Sequence, residues 1–303
     1  MLFLGASEVE AAGLRMPEVL EIVAAALEDK AAGRVELPPK LGLSPRPGAV
    51  LHAMPARAGD AVGMKWIASF PENRARGLPP TAGIIVLNDA TTGIPQAVLD
   101  ADWITTMRTG AVAAVAARTL ARPGAAVAAI LGPGRVGAAA LQALRLALPG
   151  LRTVRAWAPR AETARRFAGE HHAEATTTAE QAVRGADVIV TAAPWPGGPP
   201  HVEPGWLAPG AFACSLDYDA TFTPEAANAF DVRVTDDVAQ MDLARAKGSF
   251  PNWPRFSELC MARRKDPDQR ILCAALGLAI FDIAVATRIL QLALDRRAGR
   301  EAD

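Results

Sequence analysis

Gly132-Pro133-Gly134-Arg135-Val136-Gly137 stands between two runs of different texture, and that position constrains the fold more than any other feature of the chain. Ala125 to Leu131 before it is apolar and strand-like; Ala138 to Leu148 after it is alanine-rich and helix-like. In that setting G-x-G-x-x-G has a mechanism. The first glycine makes a tight turn, the second lets a backbone approach a pyrophosphate, and the third lets helix and strand pack closely. The helix N-terminus then offers unpaired N–H groups and a positive dipole end to the phosphates. Gly132, Gly134 and Gly137 are therefore expected at a bound dinucleotide. The motif begins only at residue 132, so a long N-terminal portion must form something else.

At 303 residues the chain is long enough for two domains with a large core. It carries 32 basic and 32 acidic residues, a net charge of zero. That excludes the basic excess by which a general nucleic-acid binder releases counterions. Cys214, Cys260 and Cys273 show no C-x-x-C spacing, so neither a disulfide framework nor a zinc or other metal site is expected. They fit a reducing compartment. Met1 to Glu10 lacks the basic start of a secretory signal, and a cytoplasmic protein is expected. Ile271 to Leu294 is long and apolar enough to suggest a membrane span. Asp282 and Arg288 interrupt it, which favours a buried C-terminal helix and no membrane partner.

Three zones follow along the chain. Ser7 to Lys30 has helical apolar spacing, with Pro17 suited to the first turn of a second helix. Pro38-Pro39 and Pro45-Arg46-Pro47-Gly48 mark a loop. Ala49 to Leu99 reads as an antiparallel meander of Val50–Met54, Val62–Ser69, Gly83–Leu87 and Ile94–Leu99. Trp103 to Ala121 is helical, stopped by Pro123-Gly124. The second zone alternates helices with strands at Ala125–Leu131, Thr153–Ala158, Asp187–Ala193, Ala211–Leu216 and Asp231–Thr235. That alternation predicts an α/β, Rossmann-type doubly wound parallel sheet. The third zone is the apolar helix, expected to return to the first.

The second strand of a dinucleotide domain that selects NAD ends in an acid that binds the ribose hydroxyls. Here Thr153 to Ala158 ends in alanine, followed by Pro159-Arg160. Without the carboxylate a 2′-phosphate meets no repulsion, and Arg160 can bind it bidentately. NADP is thus expected over NAD, unless Arg160 is a solvated residue at the next helix start.

Lys65 lies within an apolar strand, and Arg108 early on a helix poor in charge. A buried ammonium is expensive unless it is paired or functional. Either both are ordinary ion-pair partners, or they form a two-cation pocket for a substrate carboxylate.

Several blocks together resemble the ornithine cyclodeaminase and mu-crystallin family. They are Gly63-Met64-Lys65, Phe70-Pro71-Glu72-Asn73 with Gly77-Leu78-Pro79, and Leu87 to Gly93. Leu99-Asp100-Ala101, Thr105 to Thr109, the glycine motif and Gly277 to Asp282 continue the series. The resemblance implies a homodimer whose dimerisation and substrate domain (1–121 and 270–303) accompanies an NAD(P)-binding domain (122–269). It also implies site residues. Lys65 and Arg108 would contact the substrate carboxylate, and Lys40 stands where the family commonly has an arginine. Leu276 would lie on the substrate side. Asp219, nine residues after Gly210 and six before Glu225, falls at the active-site aspartate, with Asp217 as its rival. Arg135 and Val136 would be the phosphate-contacting pair inside the glycine turn, and Thr109, Ala193, Ser215 and Leu216 would join that turn at the cofactor.

The chain departs from the cyclodeaminase pattern at several positions. An acid and the only tyrosine, Asp217-Tyr218, precede Asp219; Thr223 replaces a lysine, Ala275 a serine, and Pro80 a threonine. The resemblance therefore implies an NAD(P)-dependent imine reductase or amino-acid dehydrogenase acting on a small amino or imino acid. A cyclodeaminase, which eliminates ammonia using bound NAD, and a non-catalytic NADP-binding protein are the other readings.

Overall fold

The computed structural model describes residues 1–194 and 198–301. The chain forms two compact units, Met1–Arg108 with the segment from Leu278 onward, and Thr109–Gly277. The units divide after Arg108, inside the helix Asp102–Leu120, and again at Leu278, where the sequence placed the divisions after residue 121 and at 270.

In the first unit, β1 (Leu2–Leu4) leads into helices α1 (Ala6–Ala11) and α2 (Met16–Ala31). Pro17 sits in the first turn of α2, where a missing N–H forfeits no helical bond. Strands β2 (Val35–Glu36), β3 (Leu41–Arg46), β4 (Ala49–Ala58), β5 (Ala61–Ser69), β6 (Thr81–Asn88) and β7 (Pro95–Asp100) follow, then helix α3 (Asp102–Leu120). From β3 to β7 each strand pairs antiparallel with the next. One expectation is corrected: the proline-marked loop contains β3, whose register on β4 shifts between Leu43 and Arg46, around Pro45, which has no N–H to give. The antiparallel meander expected over Ala49–Leu99 is present as β4 to β7, and β1 extends the sheet by pairing parallel with β7.

The second unit holds β8 (Val127–Leu131), α4 (Arg135–Ala147), β9 (Thr153–Trp157), α5 (Ala161–His171), β10 (Glu174–Ala175), α6 (Ala179–Val183), β11 (Val188–Thr191) and β12 (Phe212–Ser215). It continues with α7 (Pro224–Asn228), β13 (Val232–Thr235), α8 (Val238–Ala246), β14 (Ser257–Glu258) and β15 (Ile271–Ala274). Its sheet runs β10-β9-β8-β11-β12-β15-β13-β14, and every pairing in it is parallel. The winding reverses between β8 and β11, and the crevice at the carboxyl ends of those strands is where such sheets bind ligands.

The chain then returns to the first unit with α9 (Ala279–Asp295) and β16 (Arg300–Glu301), which pairs with β1. Ile271–Leu294 is therefore not one helix. Its first four residues are a fully buried strand between β12 and β13, and α9 begins only after Gly277, whose φ is +80°. A wholly apolar run carries no period that separates a buried strand from a buried helix. Among the described residues, no helix is long and apolar enough to cross a membrane.

In the first unit α9 packs on β4, β5 and β6 and against α2. Strand alternation places Met54, Ala56, Gly63, Lys65, Ile85, Leu87, Ala97 and Leu99 on the covered face, where all are buried. Met64, Trp66, Val86 and Val98 on the other face are half-buried, and Ile84 is exposed.

Candidate active site

Gly63-Met64-Lys65 acquires a physical reason here. Residues 63 and 65 point to the same side of β5, toward α9. A Cβ on Gly63 would stand 2.2 Å from the Val86 carbonyl oxygen and 3.1 Å from Ile283 Cδ1, so only glycine lets α9 seat this closely. One residue earlier on α9, Asp282 Oδ1 accepts from Lys65 Nζ at 2.8 Å and from Arg108 Nε at 2.9 Å. Lys65 is 1% exposed, Arg108 6% and Asp282 0%. Burial pushes the Lys65 ammonium down to about 7, with Asp282 opposing that shift and Arg108 and Lys40 adding to it. Asp282 is raised by burial, but Arg108 and Lys65 together hold it below the usual carboxylate range.

Arg108 binds Asp282 side-on through Nε, and its Nη1 and Nη2 make no hydrogen bond among the described residues. The fork that recognises a carboxylate bidentately is thus left for another acid. Lys40, half-buried just before β3, acts on the same group of charges. Lys40, Lys65 and Arg108 are brought together. Asp282 is the member that sequence reasoning missed. Its signals were a lone acid in an apolar run, which by itself speaks only against a membrane span, and its place at the end of the Gly277 to Asp282 block, which gave it no role.

In the second unit the three glycines of the turn differ. Gly132 has φ +81°, and a Cβ there would lie 2.6 Å from the backbone of Ala192 and Ala193, at the end of β11. Gly137 packs against the Gly132 carbonyl and Ile130. Gly134 is the N-cap of α4, is exposed, and a Cβ added there would have nothing within 4 Å. Open space before a helix N-terminus at the winding reversal fits a dinucleotide pyrophosphate. Exposed Arg135 and half-buried Val136 open the helix beside it.

Ala158, 8% exposed, directly follows β9, and Arg160 is the exposed N-cap of α5. The Arg160 side chain makes no hydrogen bond or ion pair among the described residues. Thr109 is half-buried on α3, next to Gly110, whose missing Cβ lets α3 meet the Ala139–Ala140 backbone.

The two rival acids have different surroundings. Asp217 is 2% exposed and accepts from Thr191 Oγ1 at 2.6 Å, Thr221 Oγ1 at 2.7 Å, the Ala193 N–H at 2.8 Å and Ser215 Oγ at 3.0 Å. It ties the ends of β11 and β12 together. Burial raises its carboxyl above the usual range against the pull of those donors. The Ala193 N–H is consequently committed to Asp217, and the Ser215 hydroxyl is shared between Asp217 and the Tyr218 carbonyl. Leu216 is half-buried, and its N–H donates to the Thr191 carbonyl. Asp219 is half-buried; its Oδ2 accepts from the Phe250 N–H, while Oδ1 makes no hydrogen bond among the described residues. Asp217 is a clamp, and Asp219 is the carboxylate with an oxygen to spare.

Leu276 is 4% exposed, and its N–H, with that of Gly277, donates to the buried Asp236 carboxylate at 2.9 and 2.7 Å. Among the described residues no group of His, Cys, Asp or Glu is arranged to hold a metal ion.

Comparison with known proteins agrees with this architecture. The nodulation efficiency protein NfeD of Rhizobium meliloti is 30% identical over 96% of this chain and 95% of its own length. The Thermococcus litoralis Δ1-pyrroline-2-carboxylate reductase, solved with NADH and L-proline, superposes with a TM-score of 0.90 at 25% identity, covering all of both chains. An archaeal alanine dehydrogenase dimer with bound NAD gives 0.87 at 29% identity, covering 100% of this chain and 99% of that one. The sequence matches the ornithine cyclodeaminase/mu-crystallin family across residues 1–248, and the chain belongs to that family.

Proposed function

We propose that the protein is an NAD(P)-dependent oxidoreductase that interconverts a small imino acid and its amino acid, with hydride moving to or from the α-carbon. The observation that carries this reading is the buried Lys65–Asp282–Arg108 group, whose Arg108 fork has no protein acceptor among the described residues. The Arg108 Nη pair grips the α-carboxylate, and Lys65 and Lys40 add positive charge around it. Holding that group fixes the α-carbon, and such positioning supplies a large share of a rate enhancement. Asp219 gives a proton to, or takes one from, the substrate nitrogen through its unengaged Oδ1. Two-electron transfer is what the nicotinamide supplies when bound.

NADP is the preferred cofactor in this reading. Ala158 presents no carboxylate to a 2′-phosphate, and Arg160 is exposed with its guanidinium unengaged. The working form is a homodimer. The support is the uncovered face of the first unit's sheet, where Phe3 and Ile84 are 38% and 43% exposed around a shallow groove that Val98 also lines.

The test mixes the protein with NADPH or NADH and a panel of cyclic imino acids, following the absorbance of the reduced cofactor. Oxidation of cofactor matched by amino-acid formation is expected. Ammonia release from ornithine without net change of cofactor would make the protein a cyclodeaminase instead. Cofactor binding without turnover of any acid would make it a binding protein.

A further inference from the structure

Asp282 occupies the first turn of α9, a helix of 17 residues, so the helix dipole helps keep its carboxylate ionised. Only one of its oxygens is engaged. Oδ1 takes both Lys65 and Arg108, and Oδ2 is buried without a hydrogen bond among the described residues. The carboxylate thus devotes its bonding to two cations that come from β5 and α3. Neither cation has another acid beside it among the described residues. The charged groups acting on Lys65 are Asp282 from α9, Arg108 from α3 and Lys40 from the segment before β3. Its register partners on the neighbouring strands are Met54 on β4 and Ile85 on β6, both apolar.

We propose that Asp282 is the positioning residue of the carboxylate-binding group: by holding Lys65 Nζ and Arg108 Nε on one oxygen, it keeps two buried like charges side by side and turns the Arg108 fork toward an acid ligand. The proposal rests on the reading of Lys65 and Arg108 as substrate-binding cations. Without the negative charge, Lys65 faces Arg108 and Lys40 in a buried setting and sheds its proton more readily. The cluster then loses the positive charge that an acid ligand needs. Burial already pushes the Lys65 ammonium down to about 7, so the loss falls around neutral pH.

Asp282→Asn is the direct probe. It keeps an acceptor oxygen for both cations and puts its NH2 where Oδ2 accepts nothing, so charge is removed with little change of shape. The chain has only five lysines, so a carbon-13 lysine NMR titration resolves Lys65, assigned by its absence in Lys65→Met. The midpoint of Lys65 should fall by at least about one pH unit in Asp282→Asn, the scale of losing an adjacent opposite charge. For an imino acid that the wild type reduces, the decline of kcat/KM with rising pH should move down by the same amount. KM should rise about tenfold or more at neutral pH and recover on acidification, while affinity for the reduced cofactor stays unchanged.

An unchanged Lys65 midpoint in a folded variant would overturn the proposal. If no imino acid is turned over, the functional reading fails, and the titration still decides the role of Asp282. If Asp282→Asn does not fold, the wild type decides. An Arg108 Nε–H that exchanges as fast as those of exposed arginines would overturn it. An Nε–H protected from exchange supports it.

Discussion

The Asp219 carboxylate accepts a hydrogen bond from the Phe250 N–H at 2.6 Å, joining the loop after β12 to the loop after α8. Both loops are tightly bent at this junction. Tyr218 and Phe250 have φ of +59° and +56°, unusual for aromatic residues, and their rings stack 5.6 Å apart. Trp253 meets Phe250 edge-on at 5.1 Å, and Phe256 stacks on Trp253 at 6.1 Å. Left-handed conformations of bulky residues persist where surrounding contacts enforce them, and they cluster at functional sites. The acid is therefore held by the backbone of an aromatic segment whose conformation its own hydrogen bond helps to fix.

Asp219→Asn retains an acceptor for Phe250 and removes the base. Turnover should fall by about 10²–10⁴-fold, the usual worth of general acid–base catalysis, with folding stability and NADP affinity nearly unchanged. Asp217→Asn should do the opposite. An amide cannot replace both carboxylate oxygens for four donors, so the variant should lose roughly 1–3 kcal/mol of stability, seen as a lower Tm. If Asp217→Asn abolishes the chemical step without touching Tm, the acid is Asp217.

The glycine turn separates structural from binding requirements. Gly132→Ala adds a Cβ that would stand 2.6 Å from backbone atoms at a φ of +81°, so Tm should drop and cofactor binding should go with it. Gly134→Ala meets nothing in the protein, and its φ of −95° suits alanine. That variant should keep the wild-type Tm while losing cofactor affinity by calorimetry. Full affinity in Gly134→Ala would move the pyrophosphate away from this turn.

Cofactor choice rests on one side chain. Arg160→Ala should weaken NADP by roughly 1–3 kcal/mol, the scale of a charge-assisted hydrogen bond, and leave NAD unaffected. Fluorescence titration of the two reduced cofactors measures the difference. Equal affinity of the wild type for both would discard the NADP preference.

The dimer has a face to bury. Phe3 and Ile84 are exposed on the side of the first unit's sheet that α9 does not cover. Sedimentation should report twice the 31.7 kDa chain mass, and Ile84→Glu should shift the equilibrium toward monomer. A wild-type monomer would remove the dimer from the proposal.

What could be read from the sequence depended on whether the signal was local. Turn glycines, alternating strands and the stop at Pro123-Gly124 all act within a few residues, and they marked the parallel sheet and the turn where Gly132 sits. β15 escaped because a run buried on every side has no periodicity to betray a strand. β1 escaped because three residues carry almost no pattern. Asp282 was visible as an oddity in an apolar run and as the end of a family block, with no role attached to it. Its meaning lies in a hydrogen bond across 217 residues to Lys65, and no local rule sees that distance. Asp217 was similarly hidden, because its four donors arrive from both β11 and the loop after β12.

Arg108→Lys tests the division of labour within the cation group. Arginine gives Nε to Asp282 and keeps Nη1 and Nη2 for an acid, because one planar fork carries all three. Lysine is a point donor. It can approach Asp282 or the substrate carboxylate, but it cannot hold both in fixed geometry. The loss should equal one or two hydrogen bonds to a charged group, so kcat/KM should fall by roughly 10–100-fold. NADP affinity should be unchanged, because the glycine turn is untouched. The Tm should also stay close to that of the wild type, since a cation still neutralises Asp282. Stopped-flow reduction of a cyclic imino acid and a cofactor titration measure the two quantities separately. Near-normal kcat/KM on every active acid would place the carboxylate clamp elsewhere and leave Arg108 as an ordinary partner of Asp282.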